Sequence, residues 1–468
     1  MKRFLKLVGM ISLFVLVGIS GLRAAVIVDA AGKRIEVSPP YTRIISLYGA
    51  HTENLFSLGL DREIIGVSRH EAYPPAATRK PVFSYHEDAE KFMAAHPDLI
   101  LVRPMITRGY PALMQKLRAA GITVVSLQPT TVKAMLAYWK TLGVLTGREK
   151  EAERMVDRFR AGVEKIRKMV SKIPPEKRKR VYFEAIHSRM KTFAPNAIAM
   201  FALKTAGGIN VAADARAVHG TNIAAYGKER ILSHADEIDV FLAQRGAMNR
   251  VTKRRIREEG GFRAIKAVRE GQIYIIDEKI VSRPTLRLLL GITEIGRCLY
   301  PAVFNDVTAL RKAKALTRAQ FAEMIVKVTR IPLKTPSYRH DILKRRKGTH
   351  RYGDYRDVDY FTEASAYIET AVSQGLFRHA DGRRFFPERP ILRGDVAYGI
   401  FMKFDLPEAK PVEIADIPED DPLLPQAAAV AGLGIMTVNQ GKFEPKRPMS
   451  GEAVFEALKK AQAVIERK

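Results

Sequence analysis

The stretch GREKEAERMVDRFRAGVEKIRKMVSKIPP, residues 147–175, decides how the rest of the chain is arranged. Its apolar residues recur at steps of three and four, which draws one apolar stripe along a helix. These residues are Ala152, Met155, Val156, Phe159, Val163, Ile166, Met169, Val170 and Ile173. Two prolines stop the helix. We therefore predict one helix over 147–173, with about 26 helical residues at ~1.5 Å each and a length of roughly 39 Å.

Short apolar strands and helices alternate on both sides of this helix. The predicted strands lie at 43–47, 63–68, 98–102 and 122–127 before it, and at 180–185, 238–243 and 272–277 after it. This alternation predicts parallel sheets covered by helices on both faces. A small hairpin is predicted over residues 26–37.

A faint internal repeat relates the two halves. Glu90 precedes Asp98 by eight positions, Glu229 precedes Glu237 by eight positions, and an apolar run follows each time. The predicted fold class is therefore α/β, with two Rossmann-like lobes over 26–146 and 174–310 bridged by one long helix. An ordinary surface helix inside a single domain is the alternative.

Residues 1–25 have the layout of a secretory signal peptide. Three basic residues precede an apolar stretch from Leu7 to Ile19, and small residues follow at Ala24 and Ala25. The apolar stretch is shorter than the roughly 20 residues that span a bilayer. We expect secretion across the inner membrane and a periplasmic or cell-wall-associated protein, and an uncleaved membrane anchor is the alternative.

Charge and cysteine content narrow the class further. A formal charge of +28 points to acidic partners, which could be nucleic acid, an anionic surface polymer or lipid, or an anionic small ligand. The predicted secretion argues against nucleic acid as the acidic partner. Cys298 is the single cysteine, so no intrachain disulfide forms and no lipid is attached near the predicted cleavage site.

The loops that follow the predicted strands are rich in His, Tyr and Arg. Ligands of open α/β sheets bind at these carboxyl ends. His and Tyr are ligands of haem iron or metal centres, whereas Arg pairs with carboxylate or phosphate groups. The candidate ligand-binding residues are Tyr48, His51, Arg69, His70, Tyr85, His86, Arg103, His187, Arg189, His219, Arg245 and Arg283. The alternative for any one of them is an ordinary exposed loop residue.

Two other functions are weaker candidates. Direct binding of zinc or manganese needs three or four converging ligands, which His70, His86, His187 and His219 could supply. The neighbouring arginines disfavour a bare dication. No GxSxG, HExxH, P-loop or strand-following GxGxxG motif is present, so we expect no enzyme activity and no catalytic cofactor.

Residues 311–468, called the tail here, differ from the rest of the chain. A partial repeat and a basic linker occupy 311–356, and residues 357–401 are then echoed by 416–458. Each copy shows a helix, a glycine-bearing loop, a Phe-x-Pro motif and a second helix. The segment 316–325 is similar to the last part of a copy. We predict a mainly α-helical repeat module over 357–468.

Several strings in 27–305 together resemble the periplasmic binding proteins of ABC importers for cobalamin, haem and iron–siderophore complexes. They include "HTENLFSLGLDREIIGVS", "EKFMAAHPDLILV", "TAGGIN" and "GFRAIKAVREGQIYIID". The resemblance implies a cleft between two lobes that holds a ferric siderophore, a haem or cobalamin for delivery to the permease. By position, Glu90 and Glu229 resemble the glutamates that dock onto permease arginines. The alternative is that each glutamate only complements the positive end of its helix dipole.

The tail resembles S-layer homology modules, which bind peptidoglycan or other cell-wall polymers. In that family an arginine at a helix start contributes to polymer binding. Arg318 and Arg393 occupy this position in two copies, and Gly451 replaces it in the third. The resemblance implies attachment to the cell wall, and a helical accessory domain without wall affinity is the alternative.

Overall fold

A computed structural model describes most of the chain. The described residues are 25–69, 71, 73–217, 221–333, 355–378 and 384–467. Most of the predicted signal peptide, most of the predicted basic linker, His70 and His219 lie outside these ranges. Within them, no helix combines the length and the apolar character that crossing a bilayer requires.

The first lobe is built on a five-stranded parallel sheet in the order β5-β4-β3-β6-β7, preceded by the predicted hairpin of β1 and β2. Its strands are β1 (Ala25–Val28), β2 (Arg34–Val37), β3 (Ile44–Ser46), β4 (Ile64–Ser68), β5 (Val82–Phe83), β6 (Leu99–Val102) and β7 (Thr123–Ser126). Its helices are α1 (Gly49–Ser57), α2 (Ala89–Ala94), α3 (Pro104–Gly109) and α4 (Pro111–Ala119). Alternate residues of β6 enter two separate apolar cores, which shows that both faces of the sheet are covered.

Residues 147–175 form a helix that is shorter than predicted. Helix α5 (Val132–Thr146) ends at Gly147, whose φ of 64° is left-handed, and α6 (Glu149–Val170) then begins. Glycine accepts this conformation without the penalty that a Cβ imposes, so the two helices separate there. The 22 residues of α6 span about 33 Å at ~1.5 Å per residue.

The apolar stripe of α6 is buried as predicted, except that Met169 is only partly buried. It packs against α5 and against helices of the second lobe. One continuous apolar core therefore contains residues of the first lobe, of α6 and of the second lobe.

The second lobe contains a mixed seven-stranded sheet in the order β11-β12-β9-β8-β13-β14, with β10 also paired to β8. Its strands are β8 (Arg180–Ile186), β9 (Lys191–Phe193), β10 (Ile209–Asn210), β11 (Arg216–Ala217), β12 (Ile223–Ala225), β13 (Val240–Arg245) and β14 (Ile273–Asp277). Strands β8, β13 and β14 are parallel and were predicted, whereas β9 to β12 were not. Its helices are α7 (Ile198–Thr205), α8 (Lys228–Ser233), α9 (Lys253–Glu258), α10 (Lys266–Arg269), α11 (Glu278–Val281), α12 (Leu288–Leu299), α13 (Pro301–Phe304) and α14 (Thr308–Arg311).

The tail is helical and closes on itself. Its helices are α15 (Arg318–Val328), α16 (Glu363–Ser373), α17 (Arg393–Lys403), α18 (Leu424–Gly432) and α19 (Gly451–Glu466). The residues just before α15, α17 and α19 form a cycle of backbone hydrogen bonds. Leu316 N donates to Met449 O at 2.9 Å, Ile391 N donates to Leu316 O at 2.8 Å, and Met449 N donates to Ile391 O at 3.2 Å. The three copies thus form a ring.

Buried arginines join successive copies of the ring. Arg318 Nε donates to the carbonyl oxygen of Phe385 at 2.9 Å, and Arg393 Nε donates to that of Phe443 at 2.7 Å. Each guanidinium also lies over the ring of the same phenylalanine, at 4.9 and 4.8 Å from its centroid. These arginines therefore hold the Phe-x-Pro loop of the next copy. Their side chains are not presented to solvent, in contrast to the polymer contact that the resemblance implied.

The third copy departs from this pattern for a steric reason. A Cβ on Gly451 would lie 1.9 Å from the carbonyl oxygen of Leu310, so no side chain fits there. Arg311 instead pairs with Glu452 at 2.7 and 2.8 Å and lies 4.1 Å over the ring of Phe455.

The tail packs onto both lobes and onto α6. Lys165 Nζ on α6 lies 2.8 Å from Glu363 Oε2. Arg297 of the second lobe donates to the carbonyl oxygen of Ile331 at 2.9 Å. Tyr73 of the first lobe meets the ring of Phe361 with centroids 6.1 Å apart. The tail therefore braces the junction of the lobes from the α6 side.

Replacing Arg393 by alanine should destabilise the tail. The carbonyl groups of Phe443, which is buried, and of Thr437 would lose a charged donor, which should cost about 2–4 kcal/mol of unfolding free energy. Urea unfolding of Arg393→Ala measures this. The control is Arg447→Ala, because its pair with Glu444 is half exposed and should contribute less than about 1 kcal/mol. Equal stability of the two variants would show that Arg393 has no such structural role.

Candidate functional site

The site lies where the carboxyl ends of the two sheets approach each other. In the first lobe, α1 follows β3, and in the second lobe Arg283 to Arg287 follow β14 and α11. Side chains from these two segments are in direct contact. The two lobes are therefore in direct contact here, at what would be the floor of the cleft that the resemblance implies.

A buried ion pair joins the lobes at this floor. Glu53 on α1 accepts two hydrogen bonds from Arg287, Nε to Oε2 at 2.9 Å and a terminal nitrogen to Oε1 at 2.5 Å. Arg283 approaches Glu53 Oε1 at 3.4 Å. Burial lowers the pKa of Arg287, but the Glu53 carboxylate outweighs burial, so the pKa is raised overall. The guanidinium is fully charged, and the pair has the bidentate geometry of strong charge-assisted hydrogen bonds.

A shared carbonyl adds a second connection between the lobes. The carbonyl oxygen of Pro284 accepts hydrogen bonds from Asn54 Nδ2 at 2.9 Å and from Trp139 Nε1 at 3.0 Å. Both donors belong to the first-lobe side and both are buried. Together with Glu53, they fix the segment after α11 onto the first lobe.

Arg283 lies tightly against the backbone of the first lobe. A Cβ on Gly49 would lie 2.3 Å from a terminal nitrogen of Arg283, so the glycine makes room for the guanidinium. Glu71 is also buried at this point. Burial raises the pKa of its carboxyl to about 7, although a hydrogen bond from Ser68 and the charge of Arg283 act in the opposite direction.

Tyr48 contacts a guanidinium group of its own lobe and precedes Gly49, against which Arg283 of the second lobe packs. The guanidinium of Arg103 is 4.5 Å from the centroid of the Tyr48 ring. Burial raises the pKa of the Tyr48 phenol, and the charges of Arg283 and Arg103 oppose this shift. The first lobe thus places a phenol and a cation beside the cation of the second lobe.

Three aromatic residues form a patch on the first lobe. The rings of Tyr85, His86 and Tyr110 have centroids 4.5 to 5.2 Å apart, and Tyr110 Oη lies 2.8 Å from His86 Nδ1. Tyr110 was not predicted as a site residue because it lies between two short helices and does not follow a strand. Arg69, at the end of β4, is exposed.

The two lobes repeat an Arg–Met arrangement after equivalent strands. Arg103 and Met105 follow β6, while Arg245 ends β13 and Met248 follows it. Met105 is 47% exposed and Met248 is 64% exposed, which is unusual for large apolar side chains. Arg189 and Arg245 are also exposed. Each lobe therefore presents a cation and a flexible apolar side chain beyond its sheet.

Two histidines predicted as ligand-binding residues are enclosed instead. His51 lies inside the first lobe, with Nδ1 2.6 Å from Tyr138 Oη and Nε2 3.1 Å from the carbonyl oxygen of Val102. Burial lowers its pKa to about 4, so the ring is neutral. His187 is 2% exposed, and its Nδ1 lies 2.8 Å from Glu184 Oε2. The structure presents neither ring to the cleft, and we remove both from the ligand-binding set.

The described residues offer no metal site. No group of three or more His, Cys, Asp or Glu residues among them has the geometry to hold a metal ion. His70 and His219, which completed the predicted histidine set, lie outside the described residues.

Glu90 and Glu229 occupy corresponding positions on the two lobes. Each lies in the first turn of a short helix, α2 or α8, and each is exposed. Neither forms an ion pair with any described residue. Each lobe thus carries one available carboxylate on its surface.

Two α/β lobes joined by a single helix define a bilobal architecture. The profile of the family described as periplasmic binding protein matches residues 44–280. The chain belongs to this family. The match ends before the tail.

Similar proteins cover the same part of the chain. An uncharacterised ABC transporter substrate-binding lipoprotein of Bacillus subtilis is 24% identical over 287 residues, which is 59% of this chain and 86% of that protein. The vitamin B12-binding protein of Vibrio cholerae is 23% identical over 263 residues, which is 56% of this chain and 89% of that protein. The crystal structure of a possible iron-binding protein from Staphylococcus epidermidis is 27% identical, with a TM-score of 0.49, and covers 56% of this chain and 100% of that one.

Proposed function

We propose that this protein is an extracytoplasmic solute-binding protein that holds a metal chelate in the interlobe cleft and delivers it to an ABC importer. The chelate would be a ferric siderophore, a haem or cobalamin. The observation that carries this proposal is that cations of both lobes lie beside Tyr48: Arg103 lies 4.5 Å over its ring, and Arg283 packs against the adjacent Gly49. A vitamin B12-binding protein among the relatives supports the ligand class.

The side chains near the cleft suit a ligand with anionic edges and apolar faces. Guanidinium groups bind carboxylates and phosphates in pairs of parallel hydrogen bonds. The patch of Tyr85, His86 and Tyr110 offers aromatic faces, and Met105 and Met248 offer polarisable apolar contacts from the two lobes. A bare dication would be repelled by the arginines, so nothing in the described residues favours the zinc or manganese alternative.

Binding and transfer require no bond to be made or broken. The Glu53–Arg287 pair and the tail hold the lobes together, so the cleft is formed before the ligand arrives. A preformed cleft loses little conformational entropy on binding, which favours affinity. Release would then depend on the permease, through the docking residues.

Ligand titration tests the binding proposal. The mature chain should bind haemin, cyanocobalamin or a ferric hydroxamate with a Kd of micromolar or tighter, followed by absorption or by calorimetry. Arg103→Ala should weaken binding at least about tenfold, because one charged hydrogen bond is worth about 1.5–3 kcal/mol. Arg108→Ala is the matched control, since Arg108 is exposed on the following helix. Tight binding of zinc or manganese without binding of any chelate would contradict the proposal.

The docking role of Glu90 and Glu229 has a separate test. The double variant Glu90→Ala/Glu229→Ala should retain its ligand affinity and lose ligand uptake in cells, because the carboxylates would contact only the permease. Glu36→Ala/Glu176→Ala removes the same charge from exposed positions outside these helices and should transport normally. Normal uptake by the first double variant would remove the docking role.

We also propose that the tail attaches the protein to a cell-wall polymer. The ring of three copies supports this proposal, although Arg318 and Arg393 are buried within it. Arg389 and Arg447 occupy equivalent positions, four residues after Phe385 and Phe443, and both are exposed. Two equivalent cations at the ring surface can contact successive anionic groups of one polymer.

Sedimentation with purified cell wall tests this attachment. The mature chain should pellet with the wall, and Arg389→Gln/Arg447→Gln should pellet at least about tenfold less, since each lost contact with an anion removes about 1 kcal/mol or more. Lys459→Gln/Lys460→Gln on α19 is the control with an equal charge change. A mature chain that stays in the supernatant would identify the tail as an accessory domain.

A further inference from the structure

One segment of the second lobe concentrates positive charge outside the cleft. Residues 250–269 contain eight lysines and arginines against two glutamates. They form α9, a single turn at Phe262–Ala264 and α10, which pack together at the surface. Nothing in the proposed cleft or docking roles uses the outer face of these helices.

Four arginines of this segment line one surface groove, which we call the arginine groove. Arg254, Arg257, Arg263 and Arg269 line a space of about 550 Å³, together with Glu258 and Val268. One carboxylate therefore faces four guanidinium groups. The arrangement is open to solvent and strongly cationic.

Two of the four cations have no counterion among the described residues. Arg254 pairs with Glu258 at 2.8 Å, and Arg269 lies 3.3 Å from Asp236. Arg257 and Arg263 are exposed and form no ion pair with any residue that the structure describes. Their donors are available to an external anion, and guanidinium groups in this state bind phosphate in bidentate fashion.

The position of the groove favours a membrane surface as the source of the phosphate. Lys228, at the start of α8, pairs with Glu259 at the end of α9. The next residue is Glu229, so the arginine groove adjoins the helix that carries the proposed docking carboxylate. A surface that meets a membrane-embedded permease also meets the surrounding lipid headgroups. This step rests on the proposed function, whereas the anion chemistry of the groove does not.

We infer that the arginine groove binds the phosphate groups of anionic phospholipids. Such contacts would hold the loaded protein at the membrane and orient Glu229 towards the permease. Basic residues near an anionic surface are attracted to it, and salt screens this attraction. Several guanidinium groups acting together therefore give measurable but reversible binding.

Vesicle co-sedimentation of the mature chain tests this inference. Vesicles of phosphatidylglycerol and phosphatidylcholine in a 3:7 ratio should pellet the protein, and vesicles of phosphatidylcholine alone should not. Arg257→Gln/Arg263→Gln should lower the partition coefficient at least tenfold at low salt. Arg167→Gln/Lys168→Gln on α6 is the control, because both residues are exposed and the change in net charge is equal. The control should stay within twofold of the original chain.

Two results would overturn the inference. One is an equal loss of vesicle binding in both double variants, which would mean that net charge alone attracts the protein. The other is loss of cell-wall sedimentation in Arg257→Gln/Arg263→Gln with vesicle binding unchanged, which would assign the groove to a wall polymer. Ligand affinity and uptake are measured separately, so failure here leaves the proposed function standing.

Discussion

At the floor of the cleft a carboxylate of the first lobe meets two guanidinium groups of the second. Glu53, Arg283 and Arg287 are nearly or fully enclosed, and the pair between Glu53 and Arg287 is bidentate. Burying such charges is costly, and removing one partner leaves the other uncompensated. The pair therefore fixes the relative position of the lobes. That position brings Arg283 against Gly49 and beside Tyr48, so the chemistry of the cleft depends on it.

Helix α6 and the tail also restrict the relative movement of the lobes. Helix α6 shares one apolar core with both lobes, and the tail packs on α6 while touching each lobe. The lobes are thus held at the floor of the cleft and again on the α6 side. A body held at two places resists hinging, which is the property expected of a clamp that presents a preformed site and two docking carboxylates.

The regular elements could be predicted because their signals are local. Short, mainly apolar runs predicted β6 and β13, and the stripe of α6 predicted its buried face. Gly147 was included in the predicted helix because glycine is tolerated inside helical patterns, and only its left-handed backbone shows the break. The short strands β9 to β12 contain two or three residues each, too few for any periodic pattern.

The site was harder to predict because its key charges are buried by partners distant in sequence. Glu53 and Arg287 are separated by 234 positions, so no local pattern indicates that they pair. His51 and His187 follow strands, as ligand residues do, but tertiary contacts enclose them. Sequence position placed the candidates at the carboxyl ends of strands, whereas their burial depends on tertiary contacts that the sequence does not show.

A double-mutant cycle on the interlobe pair tests the central claim most directly. Unfolding free energies would be measured for Glu53→Gln, Arg287→Gln and the double variant, with Glu63→Gln and Arg148→Gln as a partly exposed reference pair. We expect each single change at the interlobe pair to cost about 3–5 kcal/mol and the double change to cost clearly less than their sum. The reference pair should couple by less than about 1 kcal/mol. Single costs below about 1 kcal/mol and a coupling equal to that of the reference pair would contradict the account.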